Sequence, residues 1–117
     1  MKDPFPILEN KESNIELKFL KIGICMEFMK TDLILEAGKK VKGIYYITEG
    51  KVDCYRISVD GRKKTTLIEG PGAILSDVLL IDGEPQPCNY QALERVRAIY
   101  IDKNTLAKAI YIDSSIN

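Results

Sequence analysis

The 117-residue sequence contains no histidine. Histidine is the commonest general base and the commonest ligand of transition metals in proteins, and its pKa lies near neutrality. The three cysteines, Cys25, Cys54 and Cys88, lack the paired spacing of a zinc or iron–sulfur site, so we expect reduced thiols in or near a core. We therefore expect a protein that is not an enzyme and that holds neither a metal nor a cofactor.

Net charge and long apolar runs are absent as well. Lysine plus arginine and aspartate plus glutamate both total 17, so the bulk charge does not steer the chain toward nucleic acid or anionic membranes. No apolar run has the length that a membrane span needs, and no continuous apolar region follows the first lysine as in a signal peptide. We expect one cytoplasmic domain with no membrane contact.

One stretch lacks positive charge altogether. Residues 70–93, GPGAILSDVLLIDGEPQPCNYQAL, contain no arginine or lysine. Two glycines around a proline, followed by the adjacent polar pair Ser76 and Asp77, are typical of a backbone loop that cradles an anion. The missing cation raises the question of what such a loop would bind.

Elsewhere the sequence consists mainly of short runs rich in β-branched and aromatic residues. Glycine interrupts these runs about every ten residues, which is typical of an all-β barrel or sandwich. The pair Asp60-Gly61 predicts a hairpin turn. Alternation along residues 96–101 predicts a strand with one buried and one wetter face.

Helical spacing occurs at both ends. Apolar residues predict a helix from Asn14 to Gly23, and residues 24–29 either continue it or begin a connector. A second helix is predicted over residues 102–112, with Asp102 or Asn104 as its cap. We divide the chain into a lead-in with a short helix (1–30), a β-roll that binds an effector (31–102), and a short helix with a tail (103–117).

Two segments together resemble the cyclic-nucleotide-binding domain of the Crp-Fnr regulator superfamily. They are LILEAGKKVKGIYYITEGKVDCYRISVDGRKKTTLIEGPGAILSDVLLIDGEP and, downstream, ALERVRAIYIDKNTL. The resemblance covers about residues 28–110. It implies a mainly β fold: a double-stranded antiparallel β-roll, a cupin-like jelly roll, with short helices at its N- and C-terminal sides.

The resemblance also implies a ligand cassette. In relatives that bind cyclic nucleotides, the cassette consists of Gly-Glu, an apolar pair, a short helical turn, and then Arg followed by a small hydroxyl residue. The carboxylate of the glutamate binds the ribose hydroxyl, and the arginine binds the cyclic phosphate. Here Ser76 stands in place of the glycine and Asp77 in place of the glutamate. Pro87 replaces the arginine, and Cys88 replaces the hydroxyl residue.

These departures disfavour cyclic AMP and cyclic GMP. Proline has neither a cation nor an N–H group to offer a phosphate, and a buried phosphate without its cation is costly. We instead expect a mostly apolar small molecule with one or two hydroxyl or amine groups. The expected ligand-binding residues are Leu75, Ser76, Asp77, Val78, Pro87, Cys88 and Asn89. As the alternative, Leu75 and Val78 are plain core and Ser76-Asp77 caps the turn that follows.

The leading interpretation is the effector-sensing domain of a Crp-Fnr-type transcriptional regulator. Such a chain reaches DNA only through a helix-turn-helix domain, and the 117 residues contain none. The alternative is a stand-alone cyclic-nucleotide-binding-like module that acts through a protein partner. A monomer and a homodimer both stay open, and a cupin enzyme is disfavoured because its metal site needs histidine.

Overall fold

The computed structural model describes residues 15–76 and 85–116, with side chains described as far as residue 110. Two helical segments and eight strands occur in these ranges. In chain order they are α1 (residues 15–22), β1 (Ile24–Phe28), β2 (Leu33–Leu35), β3 (Gly43–Glu49), β4 (Val52–Ile57), β5 (Lys63–Glu69), β6 (Ile74–Leu75), β7 (Asn89–Ala92), β8 (Val96–Asp102) and α2 (Lys103–Ile116).

The strands form two antiparallel sheets of four strands each. The first sheet has the order β1-β8-β3-β6, and the second has the order β2-β7-β4-β5. Strands that are far apart in sequence are neighbours, as in the pairing of β3 with β8 and of β4 with β7. The mainly β fold of two antiparallel sheets with flanking helices confirms the roll that the resemblance implied.

The main core lies where the two sheets face each other. The first sheet contributes Ile47, Leu75, Val96 and Ala98, and the second contributes Ile34, Val52 and Ala92. Each of these side chains is at most 7% exposed. Because successive residues of a strand point to opposite faces, the remaining apolar residues of β3 and β8 must be covered from the other side.

The two helices supply that cover. Ile44, Tyr46, Ile99 and Ile101 form a second buried cluster on the outer face of the first sheet. Phe19 and Ile22 of α1 and Leu106 of α2 pack against it. The wetter face predicted for β8 is therefore wrong from Ile99 onward, since β8 is buried on both sides there.

The strand β1 also departs from expectation. Residues 24–29 were predicted to extend the first helix or to begin a connector, but Ile24–Phe28 is a strand that pairs with β8. The sheet thus extends into the segment expected to be a lead-in. Cys25 lies on this edge strand and is exposed, so the expectation of a thiol in or near the core is wrong for it.

Two turns and one cap show how local chemistry closes the roll. Gly50, between β3 and β4, has φ 91°, and a Cβ added there would overlap the carbonyl oxygen of Arg95. Gly61, in the predicted hairpin, has φ 84° and open space around the Cβ position. Asp102 caps α2, because the Thr105 backbone N–H donates to its Oδ1 at 2.8 Å. That hydrogen bond lowers the pKa of Asp102.

Candidate ligand-binding site

The expected cassette begins at the end of β6. Leu75 is 2% exposed and belongs to the main core, which agrees with its alternative as a core residue. The next residue, Ser76, is buried at the same end of the strand. Asp77 and Val78, both expected to bind the ligand, lie outside the described residues.

Ser76 takes a backbone conformation that favours glycine. Its φ is 74°, in the left-handed region that strains a residue with a Cβ atom. Its hydroxyl donates to Oε1 of Gln86 at 2.8 Å, and both side chains are buried. This hydrogen bond connects the end of β6 with the residues just before β7. The serine side chain therefore stabilises the structure at this position.

Gln86 was not predicted. Its backbone N–H donates to the carbonyl oxygen of Lys39 at 2.9 Å, and its own carbonyl oxygen accepts from the N–H of Gly38 at 2.8 Å. The side chain is 3% exposed although it stands between two prolines. No pattern in the sequence indicates this residue, because its burial depends on contacts with a turn almost fifty positions away.

The other end of the cassette consists of Pro87, Cys88 and Asn89, which differ in burial. Pro87 is exposed and Cys88 is 8% exposed. Oδ1 of Asn89 accepts a hydrogen bond from the backbone N–H of Ala37 at 2.9 Å. Asn89 therefore ties β7 to the turn after β2, which is a structural use of an oxygen expected to contact the ligand.

An arginine that sequence analysis missed lies beside Cys88. Nε of Arg56 donates to Sγ of Cys88 at 3.4 Å, and this hydrogen bond raises the pKa of Arg56. The register of β4 with β7 pairs Val52 with Ala92 and Cys54 with Tyr90. Since every second residue shares a face, Arg56 lies on the same side of the sheet as Val52 and Cys54, the side that faces the core.

The alternation along β4 was the signal that could have found it. Residues 52, 54 and 56 share one face of any strand in this segment, and the resemblance put that strand in the wall of the roll. Arg56 lies outside residues 70–93, the stretch that contains the predicted cassette. The roll brings residue 56 next to residue 88 from outside that stretch.

Three hydrogen-bonding side chains, Cys54, Thr66 and Tyr90, lie near one another on the second sheet. Burial raises the pKa of the Cys54 thiol, and hydrogen bonds with Thr66 and Tyr90 oppose that rise. Burial is the main cause that raises the pKa of Tyr90, and a hydrogen bond with Cys54 raises it further. Oγ1 of Thr66 lies 3.4 Å from Sγ of Cys54. Cys54 and Tyr90 are therefore protonated at neutral pH and add no negative charge beside Arg56.

Apolar surface lies open on the same wall. Leu67 is the register partner of Cys54 across β4 and β5, next to an irregularity of that ladder. Leu67 is 53% exposed, whereas Cys54 is 5% exposed. This leucine of the edge strand β5 therefore offers apolar surface beside Cys54.

Other kinds of site find no support in the described ranges. Within residues 15–76 and 85–116, no group of three cysteine, aspartate or glutamate side chains is placed to hold a metal ion. None of the helices in these ranges is long and apolar enough to cross a membrane.

Known proteins resemble this chain in sequence and in fold. The sequence model of the family described as "Cyclic nucleotide-binding domain" matches residues 25–112. The potassium channel KOR1 of rice, Oryza sativa subsp. japonica, is 26% identical over 85 residues, which are 73% of this chain and 10% of the channel. A "CRP-like cAMP-activated global transcriptional regulator" of Mycobacterium tuberculosis is 26% identical over 81 residues, 69% of this chain and 36% of the regulator.

A solved structure agrees with the fold. The N-terminal domain of a transcriptional regulator from Streptomyces coelicolor A3(2) superimposes with a TM-score of 0.75 at 22% identity, covering 91% of this chain and 72% of that one. This chain spans about a tenth of the channel and about a third of the mycobacterial regulator. Given the family match over most of its length, the chain belongs to the cyclic nucleotide-binding domain family.

Proposed function

We propose that this chain is the effector-sensing domain of a Crp-Fnr-type transcriptional regulator, and that its effector is a small molecule other than cyclic AMP or cyclic GMP. One observation carries the proposal. Pro87 is exposed at the cassette position where nucleotide-binding relatives have arginine, and proline contributes neither a charge nor an N–H group there. The name of the mycobacterial relative supports the regulator class.

The proposed binding surface combines the expected cassette with the inner wall of the second sheet. Leu75, Ser76, Asp77, Val78, Pro87, Cys88 and Asn89 would border the ligand on the cassette side. The exposed Leu67 supports an effector with an apolar body. The domain would work in the cytoplasm as a binding module without catalysis, and DNA would be contacted by a helix-turn-helix domain outside this chain.

The first sheet would couple the ligand-binding site to the C-terminal helix α2. β6 leads into the cassette and pairs with β3, where Leu75 is opposite Tyr45. β3 pairs in turn with β8, and β8 continues directly into α2. Leu106 of α2 packs on the cluster that β3 and β8 build. A ligand that moves the cassette would therefore shift α2, provided that it binds the two positions with different affinity.

Calorimetric titration of the chain with cyclic AMP and cyclic GMP tests the ligand class. We expect no binding of the wild-type protein at micromolar concentrations. The variant Pro87→Arg with Cys88→Thr rebuilds the two cassette residues and should gain measurable affinity, whereas Pro87→Ala with Cys88→Thr should not. Micromolar binding of either nucleotide to the wild-type chain contradicts the proposal.

A second candidate is a regulatory module that acts through a protein partner. It is favoured by the similarity to a potassium channel, in which the matching residues are a tenth of the whole. The gene distinguishes the two candidates. A reading frame that continues past residue 117 into a helix-turn-helix domain supports the regulator, and continuation into a channel or another signalling domain supports the second candidate.

A further inference from the structure

We propose that Arg56 binds an anionic group of the effector, so that the effector is a small organic acid with an apolar body. This inference rests on the proposed function and specifies the chemistry of its ligand. It assigns to β4, outside the cassette, the charge that the cassette lacks.

The first observation is the pairing of the arginines. The sequence has four, and all lie in the described ranges. Arg62 pairs with Asp60, while Arg95 and Arg97 both pair with Glu27. Arg56 has no carboxylate among the described residues within ion-pair distance, and its hydrogen-bond partner is the sulfur of Cys88.

The second observation is that the sulfur of Cys88 is a weak hydrogen-bond acceptor. A thiol sulfur is a weak acceptor, whereas a carboxylate or phosphate oxygen accepts a stronger, charge-assisted bond from guanidinium. Arg56 is exposed, so an incoming anion can reach the guanidinium without unfolding the strand. A ligand oxygen would thus replace a weak contact by a strong one.

The third observation concerns the acidic residues of the second sheet. Asp53, the nearest acidic neighbour along β4, is held by Nζ of Lys63 at 2.8 Å and by Oγ1 of Thr65 at 3.0 Å. Asp53 also lies one residue away from Cys54 on the strand, so its side chain points to the opposite face. Asp53 is therefore engaged on the opposite face, and Glu69, which pairs with Val52 four positions along β4 from Arg56, forms no ion pair with Arg56.

The fourth observation sets the rest of the ligand. Leu67 presents exposed apolar surface beside Cys54 on the edge strand, and Tyr90, half-buried, is the register partner of Cys54 on the other side. An aromatic or aliphatic body would cover Leu67 and Tyr90 while its acid group contacts Arg56. An inorganic anion would use Arg56 alone and bind more weakly.

Nuclear magnetic resonance on the full chain tests this directly, because the Nε–H groups of four arginines give few and separable signals. Benzoate and its neutral analogue benzamide are the matched probes, and inorganic phosphate is the anion without an apolar body. We expect benzoate to move the Nε–H signal of Arg56 and benzamide to leave it in place. Arg56→Gln should weaken benzoate binding about ten- to hundredfold, and Arg62→Gln, the control, should not.

The outcomes separate this inference from the proposed function. Equal binding of benzoate and benzamide with no change in Arg56→Gln overturns the role of Arg56 and leaves an effector-binding roll. No movement of the Arg56 signal with benzoate or phosphate at tens of millimolar also overturns it. Micromolar binding of cyclic AMP that Arg56→Gln abolishes supports the role of Arg56 but contradicts the proposed exclusion of cyclic nucleotides.

Discussion

Replacing Ser76 by alanine and by glycine tests whether the cassette keeps the backbone of a glycine while using a serine side chain. Both variants remove the hydroxyl that donates to Gln86, whose side chain is 3% exposed. A buried acceptor left without its donor costs about 1–3 kcal/mol. We therefore expect both variants to be less stable than the wild-type protein.

The two variants should differ because of the backbone at φ 74°. Alanine keeps the strain of a Cβ atom in the left-handed region, which is about 1–2 kcal/mol and which glycine avoids. Glycine loses about 0.5–1 kcal/mol more than alanine through the entropy of the unfolded chain. The balance makes Ser76→Gly more stable than Ser76→Ala by about 1 kcal/mol.

Equilibrium unfolding in urea measures these differences, and thermal unfolding should place the melting temperature of the glycine variant about 4 °C above that of the alanine variant. Gln86→Leu combined with each variant completes a double-mutant cycle that isolates the hydrogen bond. A glycine variant that is less stable than the alanine variant would refute the positive φ. Wild-type stability of both would refute the buried hydrogen bond as well.

Three further outcomes are expected. Gly50→Ala should lower the free energy of unfolding by more than about 3 kcal/mol, because it adds overlap with backbone to conformational strain; Gly61→Ala, which meets open space, should cost only about 1 kcal/mol in the same urea experiment. Since the pKa of Asp102 is lowered in the folded state, its contribution to the free energy of unfolding is present above the ordinary carboxyl pKa of about 3.9 and disappears as the pH falls through the lowered value. Asp102→Asn should therefore flatten the acid limb of a plot of stability against pH. An unchanged limb would contradict the cap. Ellman's reagent should modify Cys25 in the native protein and the two buried thiols only after unfolding, and modification of all three at one rate would refute their burial.

Local patterns predicted the strands that lie between clear turns. The runs that became β3, β4 and β5 end at Gly50, Gly61 and Gly70, and both helices were expected near their observed positions. β1 escaped prediction because ICMEF follows a helix without a turn sequence and has no strict alternation. Its strand conformation comes from pairing with β8, some seventy residues away, which a local pattern does not contain.

The candidate site shows the same division between local and distant causes. Ser76 was singled out by the order of residues in the cassette, and its positive φ is one that glycine adopts without strain. Gln86 and Arg56 were missed because each acquires its surroundings from another strand or turn. Their environments follow from sheet register, which sequence analysis set only in outline.

The predicted replacement of the cassette arginine by Pro87 and the presence of Arg56 have to be considered together. If the pocket simply lost its phosphate contact, an unpaired arginine on its inner wall would gain nothing from facing a weak thiol acceptor. If the pocket kept its old ligand, Pro87 would remove the cation from the side where the cyclic phosphate is held in relatives. An arginine on β4 fits the proposed ligand, whose acid group would lie against the second sheet. Under this proposal the position of the positive charge, on β4 and outside the cassette, sets the chemistry of the ligand.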